Sequence, residues 1–302
     1  MDRRLSEEWF TPRILQFLAA IAEDPELQAE IRNNVLTIYY RGAALVRDLQ
    51  LKDQRLTGKI HHKYIPVTPR PSSYVPVALQ DSGLSFAVEV QPLPLGNLTP
   101  EVVAQYKRVM KSVAPKPEAA VVHELVIDSR NRIVDQEISF QDKDKKDKID
   151  LCNFDLSLNC LAMVEVKQID DPRLRSTRTQ GPEVVEQLQR YSQRIAERTT
   201  EIRQAFQNVI AFKHRLGFGN RLADVPREKT LRLLKKPILV IGGCERGEIQ
   251  QILREDEWEL LMTELAEHAA AVLFCGNKGR SLQWIDRENN NQGRGFDDSQ
   301  WD

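Results

Sequence analysis

Glu165 and Lys167 stand two residues apart in the run LAMVEVKQ, residues 161–168, at the end of an apolar stretch. Alternate side chains of a β-strand share a face, so the two lie side by side while Val164 and Val166 point the other way. Taken alone, such a pair reads as a solvent-facing ion pair on a half-exposed strand, which contributes little. A second carboxylate changes the chemistry. The preceding run KIDLCNFDLS, residues 148–157, is also strand-like, and SLNC, residues 157–160, is short enough to close a hairpin. A turn at those four residues sets Asp150 opposite Lys167 and diagonal to Glu165, with all three on one face, and leaves Asp155 near Ala162. A slip of one residue would turn Asp150 to the other face. Two carboxylates and a lysine on one face suit metal-assisted phosphodiester hydrolysis. Hard oxygen ligands hold Mg²⁺ through one or two carboxylates and waters, leaving positions for a phosphate. The ion lowers the pKa of a bound water, and the lysine orients that water or stabilises the transition state. The Val166 carbonyl, between Glu and Lys, is a further candidate metal ligand. The alternative is a salt-bridged hairpin with a structural role only.

The next segment carries more polar groups at ordered spacing. GPEVVEQLQRYSQRIAERTTEIRQAF, residues 181–206, reads as one long helix with Pro182 and Glu183 in its first turn. Gln187 and Tyr191 share a face of that helix. Between strand and helix, the loop DDPRLRSTRTQG holds Arg173, Arg175 and Arg178, a candidate phosphate-gripping patch because guanidinium groups recognise phosphate in a planar fork. For any single arginine a solvated loop is the plainer reading. The order Asp150, then Glu165-Val166-Lys167, then Gln187-x-x-x-Tyr191 resembles the PD-(D/E)XK nuclease superfamily, in particular its recombination-exonuclease branch, over roughly residues 117–275. The resemblance implies a restriction-endonuclease-like core that acts on DNA, with a role in DNA repair or defence against foreign DNA. It implies that Asp150 and Glu165 bind Mg²⁺, with Mn²⁺ as a substitute, and that Lys167 assists the attacking water. Gln187 and Tyr191 would orient the site or contact DNA. The chain departs from the family's pattern at Ile149, where many members carry proline. The family's extra glutamate on the first core helix has no unique match; Glu118 is the first choice and Glu124 the second.

The elements that must position these residues can be read around them. The chain has 302 residues, enough for one large or two modest domains with a real core. Its 44 acidic and 43 basic residues nearly cancel, so any polyanion site must be a local patch. Cys152, Cys160, Cys244 and Cys275 form no C-x-x-C pair and have no histidine at zinc-finger spacing, so they read as reduced core thiols rather than a structural metal or iron–sulfur site. No apolar run approaches the roughly 18 residues of a membrane span, and MDRRLSEEW lacks a signal peptide's apolar segment, which predicts a cytoplasmic protein with no membrane partner. Cutting both strands of a duplex would favour a homodimer.

The expected fold class is α/β, a mixed central β-sheet flanked by helices, preceded by an N-terminal α+β region over residues 1–97. The nuclease-like domain would cover residues 98–286, and the polar tail 287–302 reads as disordered. In the first region SEEWFTPRILQFLAAIAED predicts a helix capped by Ser6, and NNVLTIYYRGAALVRDLQL and TGKIHHKYIPV predict strands. Residues 66–98, rich in proline, read as a loop-rich crossing. LTPEVVAQYKRVMKSV predicts a helix with Thr99 as cap and Pro100 at its first position. KPEAAVVHELVID fits a helix starting at Pro117 or a strand paired with RIVDQEISF, and the helix is preferred. QDKDKKDK balances its charges and reads as a turn between strands. Downstream, KKPILVIGG, EIQQILREDEWELLMTELAEHA and AAVLFCG form a strand–helix–strand crossover on the same sheet. GGCERGE lacks the Lys-Ser/Thr of a phosphate loop, so Gly242, Gly243 and Gly247 read as a tight turn.

Overall fold

The computed structural model describes residues 2–53, 55–65, 74–80, 83–86, 100–113, 117–141, 146–175, 181–226, 231–244, 256–276 and 282. Thr99, Arg178, Gly247 and the tail 287–302 lie outside the described residues. The chain divides into two compact units, one of residues 2–119 and 208–223, the other of 120–207 and 224–302. Each is mixed α/β, and the described residues hold two six-stranded sheets and six α-helices. Among them no helix is long and apolar enough to cross a membrane.

The first unit opens with a 3-10 turn, Glu7–Phe10, followed by α1, Pro12–Ala22. The predicted Ser6 cap is not made; Thr11 caps α1 instead, accepting from the Ile14 amide, with Pro12 in the first turn. An antiparallel meander follows in sheet order: β1 Leu27–Arg32, β2 Val35–Tyr40, β3 Ala43–Lys52, β4 Arg55–Ile60, β5 Val75–Gln80 and β6 Gly83–Phe86. The β1–β2 link is Asn33-Asn34, both with positive φ, which suits a two-residue turn matching strand twist. Strands β5 and β6 fall in the stretch read as a loop-rich crossing, a correction whose cause is Pro76: it interrupts the β5 pattern yet pairs with Lys59. Helix α2, Pro100–Ser112, adds Tyr106 to a core with Trp9, Leu18, Ile31 and Tyr40.

Helix α3, Pro117–Ile127, belongs to the second unit from Ala120 on and settles the ambiguous segment as a helix. Then come β7 Ile133–Gln141, β8 Lys146–Asp155 and β9 Cys160–Gln168, an antiparallel run. After α4 (Glu183–Glu197) and α5 (Thr199–Arg215), whose residues from Asn208 on belong to the first unit, the chain adds β10 (Arg232–Leu233) and β11 (Ile238–Gly242), both parallel to β9, then α6 (Asp256–His268) and β12 (Ala271–Phe274), parallel to β11. The sheet order is β12-β11-β9-β8-β7, with β10 also on β9. The strand–helix–strand crossover is therefore present, and its sheet is mixed. The predicted single helix over 181–206 is two helices, because Arg198 leaves the helical region and the Thr199 hydroxyl bonds back to the Ile195 carbonyl at 2.8 Å. All four cysteines are buried thiols.

Helix α3 sends Val121, Val122, Leu125 and Val126 into one core cluster with Val164 and Val166 of β9, so it covers that face of the sheet. Gly242 on β11 permits the close approach, since a Cβ there would collide with the Val121 side chain. Helix α4 brings Gln187 to Glu165 on the opposite face. Strand β9 is thus buried on both faces, as a strand with helices above and below must be.

Candidate active site

The β8–β9 hairpin fixes where the carboxylates meet. The ladder runs from Asp155↔Cys160 to Leu151↔Val164, so the loop is residues 156–159 and the register lies two residues from the predicted one. Asp150 therefore stands level with Glu165 rather than opposite Lys167, and Asp155 faces Cys160 rather than Ala162. The cause is local. The Asp155 carboxylate accepts from the Ser157 hydroxyl at 2.6 Å and the Leu158 amide at 3.0 Å, and Asn159 takes a positive φ to close the loop. A shift of two keeps every side chain on its predicted face. Asp150 follows the last ladder pair, and its Oδ2 accepts from the Val166 amide at 2.8 Å.

Glu165 and Lys167 are 2% and 1% exposed, which overturns the half-exposed surface pair as a description of them. The Lys167 ammonium donates to Glu165 Oε1 and, at 3.2 Å, to the Val166 carbonyl. Gln187, one turn into α4, donates to the same Glu165 Oε1 at 2.8 Å. Its amide also contacts the Tyr191 hydroxyl at 2.5 Å, and that hydroxyl donates to the Lys148 carbonyl at 2.5 Å. Tyr191 is 1% exposed and lies on the buried side of α4 with Val184, Leu188 and Ile195. One chain of hydrogen bonds thus runs from the β8 backbone through Tyr191 and Gln187 to Glu165 and Lys167. Such a chain fixes the carboxylate and the ammonium in one rotamer each, because every buried polar group in it must stay paired.

The structure brings Asp150, Glu165, Val166, Lys167, Gln187 and Tyr191 together. Glu118 lies in the first turn of α3, in the first unit. Glu124 sits on the part of α3 that covers the Val164 and Val166 face, across the sheet from Glu165. Arg173 is held in its own loop: its guanidinium forks onto Asp171 at 2.9 and 2.6 Å. Arg175 is exposed and reaches the Ile169 carbonyl at 3.4 Å.

Two further residues belong to this neighbourhood. Asp171 caps the short 3-10 turn Pro172–Leu174. Burial pushes its carboxyl up, but the Arg173 side-chain and backbone bonds and the charges of Arg173 and Lys167 outweigh it, holding the pKa below the ordinary carboxylate value. The Asp-Pro step in the sequence is the signal that would have found this cap. Glu137 on β7 falls between the pairs Gln136↔Leu151 and Ile138↔Ile149, so it stands level with Asp150, and it accepts from Lys148 at 2.6 Å. Its positive φ interrupts the ladder there, which no spacing in the sequence announces.

Among the described residues no group of three His, Cys, Asp or Glu side chains gathers as a ready metal cage. The donor set of Asp150, Glu165 and the Val166 carbonyl is nonetheless all hard oxygen, the kind that holds Mg²⁺ through few protein ligands and several waters. Two of those oxygens, Glu165 Oε1 and the Val166 carbonyl, already converge on one cation, the Lys167 ammonium. The residues present fit a divalent cation in their chemistry. No protein-family model, no curated protein and no solved structure matches the chain.

Proposed function

We propose that the second unit is a metal-dependent nuclease of the PD-(D/E)XK type, with a restriction-endonuclease-like core that hydrolyses phosphodiester bonds in DNA. One observation carries the reading: Asp150 and Glu165 stand level on adjacent strands, with Lys167 and Gln187 both bonded to Glu165 Oε1. Asp150, Glu165 and the Val166 carbonyl would hold Mg²⁺ or Mn²⁺, which supplies an activated water and offsets charge on the phosphate when bound. Lys167, positioned by Glu165 and the Val166 carbonyl, presents its remaining proton to the attacking water or to a phosphate oxygen. Gln187 keeps Glu165 aimed, and Tyr191 keeps Gln187 aimed. Asp171, whose carboxyl is held low in part by the Lys167 charge, adds negative charge beside the site.

A second reading has its own support. Because Glu165 and Lys167 are nearly fully buried and bonded to each other, the same residues suit a non-catalytic nucleic-acid-binding or assembly module stabilised by a closed ion pair. The test is cleavage of linear and circular DNA, single- and double-stranded, with Mg²⁺ or Mn²⁺, by the wild type, Lys167→Ala and Asp150→Ala. Metal-dependent cutting lost in both variants supports the nuclease. A wild type that cuts none of these and shows no Mg²⁺ binding by titration calorimetry supports the module.

A further inference from the structure

The first unit carries a surface that the hydrolytic site does not use. Arg47 on β3 and Lys59 on β4 are directly opposed in the sheet, so their side chains leave from the same face. Both cations lie over the ring of Tyr74, at 5.7 and 5.5 Å from its centroid, and the Arg47 guanidinium also donates to the Tyr74 hydroxyl at 3.1 Å. Tyr74 is 36% exposed, the most a large aromatic side chain shows among the described residues. Its ring meets His61 edge-on at 4.7 Å, His61 stacks on His62 at 4.5 Å, and His61 also touches Tyr64 at 5.4 Å. Lys63, between these rings in the short 3-10 turn His62–Tyr64, is exposed. The one acid among these groups is Asp48, which pairs with Lys59 at 2.5 Å.

A hydrophobic sheet face would not collect cations, and a plain solvated face would not collect four rings. Rings in mutual contact are held rigid, and a rigid exposed ring offers its π surface at little entropic cost. Arginine and lysine beside it attract phosphate. The combination matches what an unpaired nucleic-acid strand presents: bases free to stack and a phosphate at every step. A duplex hides its base faces and would engage only the cations. Burial first, and then the positive charges of His62, Lys63 and Arg47, lower the His61 pKa, so near neutral pH that ring is uncharged and stacks as a neutral aromatic.

We infer that the patch of Tyr74, His61, Arg47 and Lys63 on the β3–β4–β5 face is a binding site for single-stranded nucleic acid, with bases stacking on the rings and phosphates meeting the two cations. The inference extends the nuclease reading by naming the form of strand the protein grips, and its test leaves catalysis aside. Full-length protein in EDTA is titrated with fluorescently labelled oligo-dT, oligo-rU and a DNA duplex, read by anisotropy over a range of salt. The wild type binds the single strands more tightly than the duplex. Tyr74→Ala weakens that binding by about 5-fold or more, the lower end for one lost base–aromatic stack, while Tyr74→Phe retains it. Arg47→Ala with Lys63→Ala makes the slope of log K against log [salt] shallower by about 1.4, near 0.7 per lost phosphate contact. Asp48→Asn, compatible with the positive φ at that position, releases Lys59 and tightens binding. The oligo-dT and oligo-rU arms decide whether the natural strand is DNA or RNA. The inference is overturned if the duplex binds as well as the single strands, or if Tyr74→Ala binds like the wild type. It is equally overturned if no oligonucleotide binds; should metal-dependent cleavage then still depend on Lys167, the nuclease reading stands without this surface. Binding at Tyr74 without any cleavage would have the opposite meaning.

Discussion

Lys167→Met tests whether the Glu165–Lys167 pair is the closed, buried unit described above. Methionine keeps the volume of the lysine stem and removes its charge, leaving the Glu165 carboxylate at 2% exposure without the ammonium that neutralises it. Removing one partner of a buried ion pair costs about 3–5 kcal/mol, because the other charge is left uncompensated. For a unit of this size each kcal/mol lowers Tm by ~2–4 °C, so thermal unfolding followed by circular dichroism should fall by about 6–20 °C. The double variant Glu165→Met, Lys167→Met removes both charges and should unfold above the single variant, since replacing a whole buried pair with apolar residues is often neutral. Divalent cation adds a further arm. If Asp150, Glu165 and the Val166 carbonyl are a cation face, Mg²⁺ in place of EDTA raises the Tm of Lys167→Met more than that of the double variant, because only the former keeps the Glu165 carboxylate. A single variant as stable as the wild type would refute the buried pair. A double variant no more stable than the single would refute the coupling between the two charges.

Three other outcomes follow from the same geometry. Tyr191→Phe keeps the buried ring but removes the hydroxyl that bonds the Lys148 carbonyl and the Gln187 amide, so it should cost about 1–3 kcal/mol in thermal unfolding and, on the proposed nuclease reading, reduce cleavage by freeing Gln187. Gly243→Ala, at φ +78° with Gln168 Oε1 where the Cβ would go, should cost about 1–2 kcal/mol in urea unfolding, whereas the same change at exposed Gly181 should cost little. Arg132 bonds Asp224 at 2.7 Å through Nε and again through Nη2, and that bond, outweighing burial, holds the Asp224 carboxyl below its ordinary pKa. The sign follows: a depressed folded-state pKa adds stability above the unfolded value, lost as pH falls through the folded one. The urea midpoint of wild type over Arg132→Ala should therefore be greater at pH about 5 to 7 and converge below the normal carboxylate range near pH ~3.9.

The second sheet was legible because β7, β8 and β9 are consecutive runs of branched and apolar residues, and parity alone places Asp150, Glu165 and Lys167 on one face. What parity could not supply was the register, since the Asp155 side-chain bonds start the turn one residue early and so shift the strand pairing by two. Nor could it supply the burial of Glu165, which depends on Gln187 from α4 and on β11 pairing against β9 from far along the chain. Strand β1 escaped notice for a different reason. Leu-Gln-Ala-Glu-Ile-Arg is built largely of helix formers, and pairing with β2 overrides that preference. Strand β10 is two residues long, too short to carry any pattern. The break at Arg198 needed the Thr199 hydroxyl to turn back on the helix, a choice two threonines permit but do not dictate.

The segment 208–223 returns the chain to its first unit after the site strands have been laid down. Within that unit Lys213 lies 3.1 Å from Glu30, with the two side chains 3% and 0% exposed. A fragment ending at residue 119 would therefore carry the Glu30 carboxylate into its core without the ammonium that neutralises it, and soluble expression of the meander alone calls for Glu30→Gln or for residues 208–223 supplied in trans. On the ribosome the same arrangement sets an order of events. Strands β7 to β9 are synthesised before Lys213, so the N-terminal meander, though made first, completes its core only after the hairpin bearing Asp150 and Glu165 has been made.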